Sequence, residues 1–163
     1  MARILVVDDE PDVRALLRTI LEADGHVVVE ADDGLTAYDV VREARFDLVL
    51  LDAMMPGMDG YQLLEKLLGV EDFAAPVIMV TGRSDAEGMF MEMDAGAIEH
   101  IGKPFTLDEV RRTVDRMLSL SVEDRGERRE MLARSAATYE AMTELRGLFE
   151  DDDVAAKRKR FGR

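Results

Sequence analysis

DLVLLDAMMPGMDG, residues 47–60, decides how this chain is read. Leu48, Val49, Leu50 and Leu51 make an apolar run that is short and carries no polar residue to mark a solvent face. Such a run suits a strand buried on both sides. It ends on a carboxylate, Asp52, and then breaks at Pro56-Gly57 and Asp59-Gly60. A tight turn followed by a helix start explains the breaks. It does not explain an acid at the end of a buried strand.

The same pattern extends in both directions. RILVV (3–7), HVVVEA (26–31), APVIMVTG (75–82) and AIEHIG (97–102) are further short apolar runs bounded by Gly, Pro or Asp. Helical periodicity fills the intervals. Pro11 suits a first helical turn, and Val13, Leu16, Leu17, Ile20 and Leu21 share one face after it. Ala37, Val40, Val41 and Ala44 form the inner stripe of a second helix, YQLLEKLLG reads as a third, and a fourth is expected around Ala86–Asp94. Thr106 with Glu109 three residues on is a capping box opening LDEVRRTVDRML. Five βα repeats with continuously apolar strands predict an α/β fold: a doubly wound, five-stranded parallel sheet with helices on both faces.

Composition narrows the function. The chain has 163 residues, 47% of them hydrophobic, and a formal net charge of −14. Residues 1–118 hold 25 acids and 11 bases, whereas residues 119–163 hold ten of each. The acidic part is ill suited to nucleic acid or anionic membrane, and well suited to cations or a partner with a basic surface. There is no cysteine, which excludes disulfides and thiol-ligated metals. The opening MARILVVDDE does not resemble a signal peptide, and no apolar stretch approaches the length of a membrane span. A soluble, cytoplasmic protein is the expectation.

In a doubly wound sheet, ligands bind in the crevice beyond the strand C-termini. On that edge this chain sets Asp8 and Asp9 after the first strand, Asp52 at the end of the third, Thr81 at the end of the fourth and Lys103 after the fifth. Three crowded carboxylates raise one another's pKa unless a cation neutralises them. Octahedral Mg²⁺, with oxygen ligands and retained waters, fits the set. Beside such a cation, with Lys103 and Thr81 near, Asp52 becomes a carboxylate nucleophile for a phosphoryl group. Taken singly, these residues have plainer uses: Asp8 and Asp9 as acids complementing a helix dipole, Thr81 as a cap, Lys103 as a surface lysine. Their alignment on one edge favours the shared site. A Mg²⁺-dependent phosphatase of similar architecture would want a second acid two residues after the nucleophile, where this chain has Met54. The Lys103-Pro104 bond is open to a cis isomer, although trans is the commoner outcome.

Asp8-Asp9, LLDAMMPGMDG with Asp52, Val80-Thr81 and Lys103-Pro104-Phe105 together resemble the response-regulator receiver domain (CheY-like) of two-component signal transduction. The resemblance spans residues 3 to about 118. It implies a (βα)5 flavodoxin-like fold with strand order 2-1-3-4-5. It implies a phosphoacceptor, not a turnover enzyme: Asp52 takes a phosphoryl group from a sensor histidine kinase or a phosphotransfer protein. Mg²⁺, or Mn²⁺, would be held by Asp9, Asp52 and the Met54 backbone carbonyl, with Asp8 acting through water. Ala53, Met54, Thr81, Gly82 and Lys103 would bind the phosphoryl group, and Thr81 would move toward it as a switch. The aromatic partner of that switch is replaced by His100, whose smaller ring either serves the switch or simply sits half-exposed on its strand. Gly82 leaves room beside Thr81. Phe90, Met91 and Met93 divide between core and a partner surface.

Residues 1–120 are therefore the expected receiver, 121–150 an amphipathic helix and 151–163 a charged, frayed tail. Ser121 and Asp124 mark the helix start, and Leu132, Ala136, Tyr139, Met142 and Phe149 recur at helical spacing. One such helix must bury its stripe on the receiver or on a second copy, and the narrow stripe favours a homodimer. The segment is too short for a winged helix, and neighbouring acids weaken the case for nucleic-acid binding by Lys157–Arg160. Output through protein–protein contact or dimerisation is expected. The alternatives are a receiver fragment of a longer regulator and a DNA-binding regulator acting through the tail.

Overall fold

The computed structural model describes residues 1–82 and 99–131, together with 133, 134 and 141. The helix expected around Ala86–Asp94, with Phe90, Met91 and Met93, lies outside the described residues. So do Leu132, Ala136, Tyr139, Met142 and Phe149 of the C-terminal stripe, and the tail at 151–163. The elements run β1 (Arg3–Val7), α1 (Pro11–Ala23), β2 (Val27–Ala31), α2 (Gly34–Glu43), β3 (Leu48–Asp52), α3 (Gly60–Leu68), β4 (Val77–Gly82), β5 (Glu99–Lys103) and α4 (Leu107–Leu118).

All five strands are parallel, in the order β2-β1-β3-β4-β5 expected from the resemblance. Two cores lie on opposite faces of the sheet, and the alternation of side chains along each strand assigns residues to them. Leu5, Val7, Val49, Leu51 and Met79 pack with Ala37, Val41, Leu63, Leu64 and Leu67 of α2 and α3. Ile4, Val6, Leu48, Leu50, Ile78, Val80 and Ile101 pack with Leu17, Ile20, Leu21, Val110, Val114 and Met117 of α1 and α4. The inner strands β1, β3 and β4 are almost continuously apolar because each odd and each even residue meets a different helical layer, whereas the edge strands β2 and β5 are only partly buried and carry Glu30, Glu99 and His100.

Helix starts are fixed locally. Asp33 caps α2 by accepting from the Thr36 N–H at 2.7 Å. Asp59 and Gln62 close a reciprocal capping box at α3, and the Thr106 hydroxyl accepts from the Glu109 N–H at α4. Ser121 and Asp124 also cap reciprocally, opening a helical stretch at 122–131.

That stretch folds back across the edge of the sheet opposite the strand C-termini. Arg125 donates to the carbonyls of Leu118 and Leu120, and Arg129 to that of Leu68 at the end of α3. Arg128 lies 3.9 Å from Glu99 at the start of β5, and Met131 packs on the α2–α3 core. So short a helix is marginal alone, and these contacts hold it. A chain ending after residue 120 is expected to be less stable than one ending after 134 by about 2 kcal/mol, given roughly 0.5–1 kcal/mol for each of the three lost hydrogen bonds. Its melting temperature should fall by roughly 5 to 10 °C, read by circular dichroism. Equal melting temperatures would show that the helix adds nothing to the receiver.

Candidate functional site

The alternation that sorts the core also builds the site. Asp8 follows Val7 and continues the parity of Ile4 and Val6, Asp52 that of Leu48 and Leu50, and Lys103 that of Ile101. Asp52 pairs in register with Val80, a residue of the same core. Three polar groups from three strands therefore leave the sheet on one side of its C-terminal edge. Lys103 Nζ lies 2.8 Å from Asp8 Oδ2, 3.2 Å from Glu10 Oε1 and 3.5 Å from Asp52 Oδ1.

Asp8 is 1% exposed and Asp52 3% exposed. Asp8 Oδ1 accepts from the Glu10 N–H at 2.9 Å, whereas Oδ2 accepts no hydrogen bond of good geometry and faces the Lys103 ammonium. Asp52 Oδ1 accepts from the Met54 N–H at 3.2 Å. Burial, reinforced by the charge of Asp8, pushes the Asp52 carboxyl up to about 7. Lys103 and the Met54 N–H oppose that shift, and a hydrogen bond with the half-buried Asp9 adds to it. Burial lowers the Lys103 pKa, but the close pairing with Asp8 and the charges of Asp52 and Asp8 outweigh it, so the net shift is upward. The ammonium is firmly charged, and the two buried acids compete for it.

A cation fits this arrangement. Carboxylate oxygens of Asp8, Glu10 and Asp52 lie within 4.8 Å of one another. Asp8 Oδ2 is buried with only the Lys103 ammonium beside it, and hard oxygen donors suit Mg²⁺. Glu10 was not among the residues expected from sequence. The signal available was its place as a third consecutive acid before Pro11. None of the three acids caps α1: Glu10 holds the N-cap position, and its side chain makes no capping bond. Asp8 Oδ1 instead accepts from the N–H of Glu10, ahead of the helix.

Other expected residues surround the cluster. Thr81 is buried at the end of β4, opposite Gly102, with Gly82 opposite Lys103. It continues the parity of Met79, on the α2–α3 face, so it flanks the ion pairs from the other side of the sheet. Ala53 is buried and its N–H donates to the Val80 carbonyl, while Met54 is half exposed at the rim. His100 is exposed and is the second residue of β5, opposite Met79, on the same face as Thr81 but farther from the C-terminal edge. The Lys103-Pro104 peptide is cis, the isomer that sequence alone makes the less common.

A parallel (βα) sheet in the order 2-1-3-4-5, with buried acids and a lysine across its C-terminal crevice, defines a CheY-like α/β signalling domain. The chain belongs to the response regulator receiver domain family, whose model matches residues 4–115. Receiver domains are not enzymes in the ordinary sense. The chain is 36% identical over 118 residues to sporulation initiation phosphotransferase F of Bacillus subtilis, covering 72% of this chain and 94% of that protein. It is 40% identical over 116 residues to the transcriptional regulatory protein ResD of the same organism, covering 71% of this chain but 48% of ResD. The aligned segment thus spans nearly all of one relative and about half of the other. Among solved structures, the response regulator TrrA of Thermotoga maritima, in complex with Mg²⁺ and BeF, aligns with a TM-score of 0.63 at 32% identity. That alignment covers 72% of this chain and 99% of TrrA. No helix among the described residues is long and apolar enough to cross a membrane.

Proposed function

We propose that Asp52 is the phosphoacceptor of a two-component signalling protein, phosphorylated by a histidine kinase or a phosphotransfer protein. The observation that carries this reading is the placement of Asp52, 3% exposed at the end of a buried strand, where it shares the Lys103 ammonium with the Asp8 carboxylate. An Asp52 oxygen attacks phosphorus as the P–N bond of a phosphohistidine breaks, and the imidazole leaves with the electron pair. A bound Mg²⁺ or Mn²⁺ supplies positive charge that offsets the phosphoryl oxygens and the crowded acids. Asp9, Asp52 and the Met54 carbonyl are its proposed ligands, with Asp8 acting through water and Glu10 close by. The Mg²⁺ and BeF bound by TrrA support this assignment.

Lys103 neutralises the same oxygens from the β5 side, Ala53, the Met54 N–H and the backbone of Gly82 line the phosphoryl site, with the Ala53 N–H itself held by the Val80 carbonyl, and Thr81 closes on it. Thr81 and His100 lie on one face of the sheet, which suits a switch transmitted from the first toward the second. The chain is read as cytoplasmic. Its output is protein–protein contact or homodimerisation, and the acidic balance of residues 1–118 disfavours nucleic acid.

The test is incubation with a small acyl-phosphate donor and MgCl₂, followed by intact mass. One labile phosphoryl adduct is expected on the wild type and none on Asp52→Asn. A wild type without adduct, or an adduct that survives Asp52→Asn, sinks the reading. Light scattering after size exclusion reads the output: an adduct that leaves the mass distribution unchanged counts against dimerisation.

A further inference from the structure

We propose that Glu10 is the alternative seat of the Lys103 ammonium, drawing it off Asp8 and Asp52 when a divalent cation takes those two acids. The proposal rests on the reading that the crevice binds such a cation. An ammonium and a divalent ion repel each other and cannot share two buried carboxylates. Asp8 and Asp52 cannot follow the lysine outward, since their side chains are 1% and 4% exposed.

Glu10 is built differently. Its backbone is pinned: its N–H donates to Asp8 Oδ1, its carbonyl accepts from the Arg14 N–H at 3.1 Å, and Pro11 follows. Its side chain is 60% exposed and already lies 3.2 Å from Lys103 Nζ. It sits at the N-cap of α1, where Asp, Asn or Ser would bond the helix N–H groups and where glutamate does not. Its carboxylate is left for the lysine. The three acids' oxygens lie within 4.8 Å of one another, so Lys103 changes partner by side-chain rotation alone. It then stays charged at the rim of the crevice, on the side where an incoming phosphoryl group arrives.

The experiment is MgCl₂ binding to the full chain by isothermal titration calorimetry. Glu10→Gln is expected to weaken Mg²⁺ binding by about fivefold, the worth of one exposed contact between unit charges. Glu10→Asp keeps the charge and improves the helix cap, but its arm is one methylene shorter. It is expected to weaken binding as much as Glu10→Gln does. In a Lys103→Gln background, where there is no ammonium to reseat, Glu10→Asp is expected to change nothing. Wild-type affinity in Glu10→Asp, alongside a loss in Glu10→Gln, would show that Glu10 acts through charge alone and overturn the proposal. So would equal affinity in Glu10→Gln and wild type. A wild type that binds no Mg²⁺ overturns the cation reading itself, and this proposal with it.

Discussion

In metal-free protein, Asp52→Asn is expected to be more stable than wild type at pH 8, by at most about 4 kcal/mol, and no more stable at pH 4. Burial and the Asp8 charge raise the Asp52 carboxyl from 3.8 to about 7 in the folded state. Below pH 3.8 both folded and unfolded chains hold the proton, and nothing is lost. Between 3.8 and about 7 the unfolded chain has released it while the folded chain keeps it, so rising pH favours unfolding. Above about 7 the penalty is complete. Each tenfold change in proton affinity is worth about 1.36 kcal/mol, which sets the ceiling. Asparagine resembles the protonated acid and escapes the penalty. Urea melts of both proteins in EDTA from pH 4 to 8 read the difference directly, and groups that titrate alike in both cancel. MgCl₂ should shrink the gap at pH 8 by stabilising the wild-type carboxylate. A gap that does not change with pH would show that Asp52 is not held against its charge.

Gly60→Ala is expected to cost about 3 kcal/mol or more and to abolish the phosphoryl adduct. Gly60 is the first residue of α3, and its N–H donates to the Ala53 carbonyl at 2.9 Å. A Cβ added there would run into the Asp52 carbonyl oxygen and lie 2.9 Å from the Ala53 Cα. Both obstacles are backbone, so no side-chain rotation relieves them, and overpacking of this kind lies at the upper end of its usual range of about 1–3 kcal/mol. Either α3 moves off the sheet or the end of β3 moves with Asp52 on it. Gly57 is the control. Its φ is +79° and an added Cβ meets nothing within 4 Å. Gly57→Ala should cost about 1 kcal/mol of left-handed backbone strain and leave the adduct intact. Equal effects at the two glycines would count against close approach as the reason for Gly60.

Asp8, Asp52 and Lys103 were legible because strand ends are. In a parallel sheet every C-terminus falls on one edge, so a polar residue just past an apolar run has a known destination before any coordinate is seen. The sorting of each strand between two cores follows from the same alternation. Glu10 was not legible. It stands beside two expected residues, yet its partner Lys103 is 93 positions away, and only the shared C-terminal edge on which parallel β1 and β5 end brings them together. Gly60 was read as part of a turn, whereas its smallness serves a backbone contact between α3 and the end of β3. The amphipathic pattern after residue 121 announced a helix that needs a partner. It could not say that Arg125 and Arg129 would reach the carbonyls of Leu118, Leu120 and Leu68.

By itself, then, the sequence determined the repeat of strands and helices, the buried character of the sheet and the residues that end its strands. These depend on periodicity and on what flanks each run, and both are local. The tertiary structure alone decided which acid meets Lys103, where a glycine is indispensable, which isomer the Lys103-Pro104 bond adopts and what surface the helix at 122–131 covers. Those outcomes turn on contacts between residues far apart in the chain, or on energy differences small enough for packing to settle.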